Sequence, residues 1–309
     1  RKEADQVEIL SGVFEGKTTG HPISLMVANT DQRSHDYSEI ANCYRPGHAD
    51  LNYDRKYGFR DYRGGGRSSG RETIGRVAAG AIAAKLLKEL GITVSAYTYS
   101  IGPVQINRAN FSKEEISNNA LYMPDTQAAQ AAQEYLDKCM RETNSSGGMV
   151  ECEITGVPAG IGEPAFEKLD AALAKAMFSI GAVKGFEIGE GFEAAALTGL
   201  ENNDSFCAGP FGQITKETNH AGGILGGISD GCPIIFRAAF KPTPSIAAPQ
   251  KTVKKDGTSI TVSIKGRHDP IIVPRGVVVV ESMAALTLAD MMLANMGARL
   301  SSVEDFYRR

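Results

Sequence analysis

The side chains able to do chemistry stand in three glycine-rich blocks. The first runs from Arg45-Pro46-Gly47-His48-Ala49-Asp50 through Lys56-Tyr57-Gly58 to Gly64-Gly65-Gly66-Arg67-Ser68-Ser69-Gly70-Arg71. Between Arg45 and Arg76 there are eight basic residues against four acidic ones, a local anion trap. Ser68 and Ser69 precede a helix expected from Arg71, so free backbone N–H groups, two hydroxyls, Arg67 and Arg71 would converge on a phosphate or carboxylate. The second block is Asn219-His220-Ala221-Gly222-Gly223-Ile224-Leu225-Gly226-Gly227, followed by Lys241-Pro242-Thr243-Pro244-Ser245. Its paired glycines permit close passage of a flat ligand or of another chain segment. A lysine and two hydroxyls on a proline-stiffened loop can hold a second phosphate. The third block is Gly266-Arg267-His268-Asp269-Pro270, with Arg275 beyond it: an anion clamp beside a base, or equally a salt-bridged corner.

Common phosphate motifs do not account for these blocks. A P-loop ends in Gly-Lys-Ser/Thr where this chain has Arg67-Ser68-Ser69, and the glycine that a dinucleotide fingerprint requires at position 69 is a serine. A phosphotransferase would need an acidic metal-ligand cluster that is missing, and no metal site is expected. Tyr53, Tyr57, Phe59 and Tyr62 interleave with arginines as stacking platforms for nucleic acid would. A non-catalytic anion- or nucleic-acid-binding module is therefore the alternative reading.

The whole chain sets bounds on both readings. Its 309 residues, 42% hydrophobic and 22% charged, have an ordinary globular composition, and 33 Lys and Arg against 36 Asp and Glu give a net charge of -3. That balance argues against nucleic-acid and membrane partners. The most apolar stretch, Gly276 to Leu293, is interrupted by Glu281 and Asp290, so no membrane span is expected. Five cysteines without a Cys-x-x-Cys pair suggest reduced thiols.

The elements that must position the blocks follow from periodicity. Val7 to Phe14 and Ile23 to Asn29 read as strands, Thr30 to Gly70 has no sustained pattern, and Arg71 to Leu90 is an Ala-rich helix closed by Gly91. Ile92 to Ile101 reads as a strand, Gln127 to Thr143 as a helix stopped by Asn144 to Gly148, and Met149 to Thr155 as a strand. Pro164 to Ile180 reads as a helix with Phe166, Leu169, Leu173, Met177 and Ile180 on its inner face. A hairpin joins Thr252-Val253 to Ser259 to Ile264, Val277 to Val280 reads as a last strand, and Ser282 to Met296 as a closing helix. No repeat or linker divides the chain, and one mixed α/β domain over residues 1–309 is expected.

Together and in this order, the blocks closely resemble chorismate synthase, the last enzyme of the shikimate pathway. The resemblance rests on Asp31-Gln32-Arg33-Ser34 with Asp36-Tyr37, Arg45 to Asp50, Gly64 to Ser69, Ala221 to Ser229, Lys241 to Ser245 and Gly266 to Pro270. It implies an α+β fold, a single-domain β-α-β sandwich with helices packed between antiparallel sheets, assembled as a cytoplasmic homotetramer, or a plastid one in a plant-like organism. The implied reaction is a carbon-oxygen lyase reaction, the trans-1,4 elimination of phosphate from 5-enolpyruvylshikimate 3-phosphate. It requires reduced FMN without net redox change, and NADPH enters only indirectly, for flavin reduction.

By that resemblance, His48 lies near the flavin and keeps its N1 side protonated, while Asp269 works with flavin N5 on the path of the C6 proton. Flavin contacts carry over to Arg67, Ser68, Ser69, Ala182, Gly226, Lys241, Pro242, Thr243, Pro244, Ser245 and Arg267, and substrate anions to Arg45, Arg71 and Arg275. Asn219 and His220 would line the site; His21 and His35 are assigned nothing. The family's opening Gly-Glu-Ser-His-Gly motif, whose histidine is the second acid, is absent from these residues. A polypeptide of these residues alone is expected to show little turnover.

Overall fold

In the computed structural model, residues 5–29, 41–63, 65–209, 212–264 and 269–308 are described. The N-terminal apolar segments form β1 (Glu8–Ser11), β2 (Val13–Phe14), β3 (Lys17–Thr18) and β4 (Ser24–Met26), paired as the antiparallel ribbons β1–β4 and β2–β3. The single strand expected over Val7 to Phe14 is broken at Gly12, whose φ of 82° turns the chain. Next come α1 (Asp50–Tyr57), α2 (Thr73–Glu89), β5 (Thr93–Ile101), β6 (Val104–Gln105), α3 (Thr126–Arg141), β7 (Gly148–Thr155), α4 (Leu169–Phe178) and β8 (Val183–Ile188). Beyond α5 (Gly199–Asn202) lie the ribbons β9 (Phe206–Ala208) with β10 (Ile214–Lys216) and β11 (Ile224–Leu225) with β12 (Ile228–Ser229). Then follow β13 (Ile234–Phe240), the hairpin β14 (Gln250–Val253) and β15 (Ser259–Val262), α6 (Val273–Asn295) and α7 (Leu300–Tyr307).

The organising element is a five-stranded antiparallel sheet in the order β6-β5-β7-β13-β8. Along β13, Ile234, Phe236, Ala238 and Phe240 are buried while the residues between them are half-buried, the period of two that a strand with one better-covered face requires. The buried face packs on α6, where Gly276 lies so close to the Phe240 ring that a Cβ would meet it at 2.9 Å. Helix α6 also contacts β5, β7, α2 and α4, and α2 in turn meets β4. The helices thus stand between the sheet and an N-terminal ribbon, in an α+β arrangement. Small residues permit the central crossing: a Cβ at Gly80 of α2 would collide with Ser282 of α6.

Helix α2 ends as the glycine signal indicates. Gly91 takes φ 75° and donates its N–H to Lys88 O at 3.0 Å, while Ile92 donates to Leu87 O at 2.9 Å, the paired bonds of a Schellman cap. Asp125 starts α3 by accepting the N–H groups of Gln127 and Ala128 at 3.0 and 3.1 Å.

Several expectations are corrected. Residues 277–280 are not a strand: they lie inside α6, one continuous helix from Val273 with Pro274 in its first turn, where that residue's missing N–H and fixed φ are tolerated. By length and composition α6 is also apolar enough to cross a membrane. Here it is the central core helix, burying Val273, Val277, Val280, Ala284 and Leu288. Helix α4 begins at Leu169 rather than Pro164, and Phe166 is 97% exposed in a turn with φ 54° instead of on an inner face. The pattern-free stretch Thr30 to Gly70 contains α1, a polar helix that no hydrophobic period would reveal.

Candidate active site

Two of the three blocks meet directly. Gly47 takes φ 69°, and a Cβ there would stand 2.7 Å from Cβ of Pro244, so only a glycine lets the two loops touch. Lys241 Nζ donates to Gly47 O at 2.7 Å, and His48 Nε2 lies 3.1 Å from Ser245 Oγ. The other ring nitrogen, Nδ1, is 2.9 Å from Pro46 O. Burial and then the Arg45 cation hold His48 below its ordinary pKa, with Lys241 adding to the depression and the Pro46 carbonyl and Asp50 opposing it. These influences together favour the neutral imidazole.

Asp50, buried at the start of α1, anchors this corner. It accepts from Arg45 Nε at 2.8 Å and pairs with Arg60 at 2.6 Å. Burial pushes its carboxyl up, but hydrogen bonds from Arg45 and Arg60 overcome this and keep it far below the carboxylate range. Much of the local cationic surplus is thus consumed internally: Arg63 pairs with Asp61, Arg71 with Asp5 and Arg76 with Glu72. Arg67 is exposed and has no hydrogen bond or ion pair among the described residues. Beside it, Ser68 donates to Gly65 O, and Ser69 accepts the Arg71 N–H to cap the turn before α2.

The Lys241 to Ser245 loop is fixed from behind. Lys241 N donates to the carbonyl of Ala182, a non-glycine residue at φ 74°, and Ser145 Oγ donates to Thr243 O at 2.7 Å. Thr243 Oγ1 is buried without a partner in the described structure. Ser146 N donates to Pro270 O at 2.8 Å, which brings the third block to the same turn. Sequence reasoning read that turn, Asn144 to Gly148, only as a helix stop and missed its role as a bridge. Arg267 and His268 lie outside the described residues, as do Asp31 to Tyr37 and Gly64. Asp269 pairs bidentately with Arg275 at 2.6 and 3.1 Å, both side chains substantially exposed. The pair sits at the rim of a cavity of about 780 Å³ between α3, β5 and α6, with Glu281 in its wall. Burial raises the Glu281 pKa, against the Ala96 N–H that its carboxylate accepts.

The paired glycines of the second block serve the chain more than a ligand. Cβ atoms on Gly222, Gly223 and Gly227 would strike the backbones of Gly189, Pro233 and Glu163, whereas Gly226, at φ 61°, faces open space. Asn219 and His220 belong to an ionic hub. Asp204 accepts from Thr218 Oγ1, His220 N, Ala221 N and Lys216 Nζ, and Lys216, its side chain buried, also pairs with Asp230 at 2.7 Å. Five hydrogen bonds or ion pairs of this kind hold a loop, and no composition signal marked Asp204 or Lys216.

A second unforeseen network lies on the sheet face opposite α6. Register places Tyr97, Glu151, Arg237 and Glu187 directly side by side across β5, β7, β13 and β8. Glu151 accepts from Tyr97 Oη, from Arg108 at 2.5 Å and from Arg237 at 2.8 Å, and Arg237 reaches Glu187 at 2.7 Å. This ladder fixes β13, the strand that runs straight into Lys241.

Comparison with known proteins agrees with the motif order. The family profile described as Chorismate synthase matches residues 1–293. A chorismate synthase of Agathobacter rectalis is 68% identical over 309 residues, covering 100% of this chain and 84% of the relative. One from Chloroflexus aggregans is 54% identical over 301 residues, covering 97% and 82%. A crystal structure of chorismate synthase superposes with a TM-score of 0.75 at 31% identity, over 98% of this chain and 82% of that one.

Proposed function

Because this chain belongs to the chorismate synthase family, we propose that it carries out the family's reaction, elimination of phosphate from 5-enolpyruvylshikimate 3-phosphate to give chorismate with reduced FMN as cofactor. The observation that carries the reading is the junction of Gly47-His48 with Lys241 to Ser245, which joins two motifs nearly two hundred residues apart around the His48 imidazole. The residues present suit a flavin. Among the described residues, Thr243 Oγ1 is buried and unpartnered, Gly226 presents backbone to open space, and Arg67 has no ion pair and stands beside two serines.

In this reading Arg67, Ser68, Ser69, Ala182, Gly226, the Lys241 to Ser245 loop and Arg267 hold the flavin, whose reduced ring supplies electron density to the elimination with no net redox change. Arg45, Arg71 and Arg275 take the substrate's anionic groups. A substrate carboxylate or phosphate can displace Asp5 from Arg71 and Asp269 from Arg275, because both pairs are exposed and exchange readily with solvent. Release from Arg275 frees Asp269 to accept the C6 proton. His48 can take up a proton at Nε2, the nitrogen not committed to a carbonyl, and return it there. The reading includes one domain, a homotetramer, a cytoplasmic location, and NADPH used only to reduce the flavin. The nucleic-acid alternative loses its ground because most arginines of the basic block are neutralised internally.

The test is an anaerobic assay of the intact protein with reduced FMN, beside His48→Ala and Asp269→Ala. Both variants should lose most of the activity, by roughly 10²-fold or more for a group that transfers a proton. Wild-type rates in both would refute the assigned roles.

A further inference from the structure

The geometry points to Ser245 as the positioning residue of His48, its hydroxyl holding the imidazole at Nε2 whether or not that nitrogen carries a proton; the inference deepens the proposed function and rests on it for its kinetic part. A carbonyl oxygen only accepts, so the 2.9 Å contact of Nδ1 with Pro46 O places a hydrogen on Nδ1. All change of charge on the ring therefore occurs at Nε2. The described partner of Nε2 is Ser245 Oγ at 3.1 Å. A serine hydroxyl can donate to a bare Nε2 and, after turning about its C–O bond, accept from Nε2–H. The ring can thus gain or lose a proton without moving.

Ser245 is itself held for this task. Pro244 is seated on Gly47, Lys241 Nζ is bonded to Gly47 O, and Thr243 O is fixed by Ser145. The charged groups facing the imidazole are Arg45, Asp50 and Lys241. Asp50 is committed to Arg45 and Arg60, Arg45 donates to Asp50, and Lys241 Nζ donates to Gly47 O, so these groups are engaged away from Nε2.

The experiment compares the intact wild-type protein with Ser245→Ala and Ser245→Thr. The ¹⁵N resonance of His48 Nε2, recorded without substrate and identified by its loss in His48→Ala, should move in Ser245→Ala and return in Ser245→Thr; the chain has only five histidines. At saturating reduced FMN, kcat should fall about threefold to tenfold in Ser245→Ala, the loss expected for one hydrogen bond, and recover in Ser245→Thr. Because kcat is read at saturating reduced FMN, any change in FMN affinity from the flavin contact of the same loop does not enter it. An unmoved Nε2 resonance overturns the inference. So does weakened FMN binding with unchanged kcat, which would make Ser245 a flavin ligand alone. If wild type forms no chorismate while the resonance moves, the assigned reaction falls and the positioning of His48 stands.

Discussion

Replacing Glu151 by alanine should strongly destabilise the sheet. The residue is 1% exposed and accepts hydrogen bonds from Tyr97, Arg108 and Arg237. Burial pushes its carboxyl up, and these three donors together overcome that and hold it below the ordinary value of 4.5. Truncation leaves Arg237 half-buried with only Glu187 and leaves the Tyr97 hydroxyl without its acceptor. Removing one partner of a buried ion pair costs about 3–5 kcal/mol. An unfolding entropy near 2.1 cal/mol/K per residue amounts to roughly 0.65 kcal/mol/K for this length, so the midpoint should fall by about 5–8 °C. Glu187→Ala removes the Arg237 ion pair and the bond accepted from Phe192 N at a more accessible position and should cost about 1–2 kcal/mol, or about 2–3 °C. Calorimetry at pH 7 measures both. A depressed carboxyl stabilises above its unfolded value and loses that contribution as pH falls through the folded one. Wild type and Glu151→Ala should therefore converge as pH drops below about 4.5. A midpoint within about 1 °C of wild type at pH 7, or a difference independent of pH, would refute the reasoning.

Gly80→Ala should lower stability by about 1–3 kcal/mol in denaturant melts although alanine is the better helix former, because its methyl meets Ser282 across the α2–α6 crossing. Gly189→Ala should fail to fold or melt far lower, as its Cβ would overlap the His220 carbonyl. Gly226→Ala opens onto empty space, should cost only about 1–2 kcal/mol of left-handed strain, and should instead weaken FMN binding, read by flavin fluorescence. Asp50→Asn removes an influence that raises the His48 pKa, so NMR titration should find the imidazole titrating still lower; an upward shift would contradict the electrostatics.

What could be read in the sequence was what local chemistry determines. Gly91 marks the end of α2 because only that position needs φ above zero, and the alternation of Met149 to Thr155 marks β7 because one face is covered. The run Val277-Val278-Val279-Val280 misleads because β-branched residues favour strands on their own, while here burial against α2 and the sheet decides for helix. The motif order singled out His48, Lys241 to Ser245 and Asp269 as candidates, but not what ties them. Ser145 and Ser146, Asp50 with its two arginines, and the Glu151 ladder are set by strand register and by loops far apart in the chain, which no window of residues contains.

The junction between His48 and Ser245 also has a place in the order in which the chain is made. The two residues are 197 positions apart. At a synthesis rate of roughly 5–20 residues per second, His48 waits about 10–40 s for its partner loop to be made. Through that interval the chain has neither its fifth sheet neighbour's exit loop nor α6 to close the core. The corner around Asp50 can form early from local contacts, whereas the junction of His48 with Ser245 is a product of the final collapse.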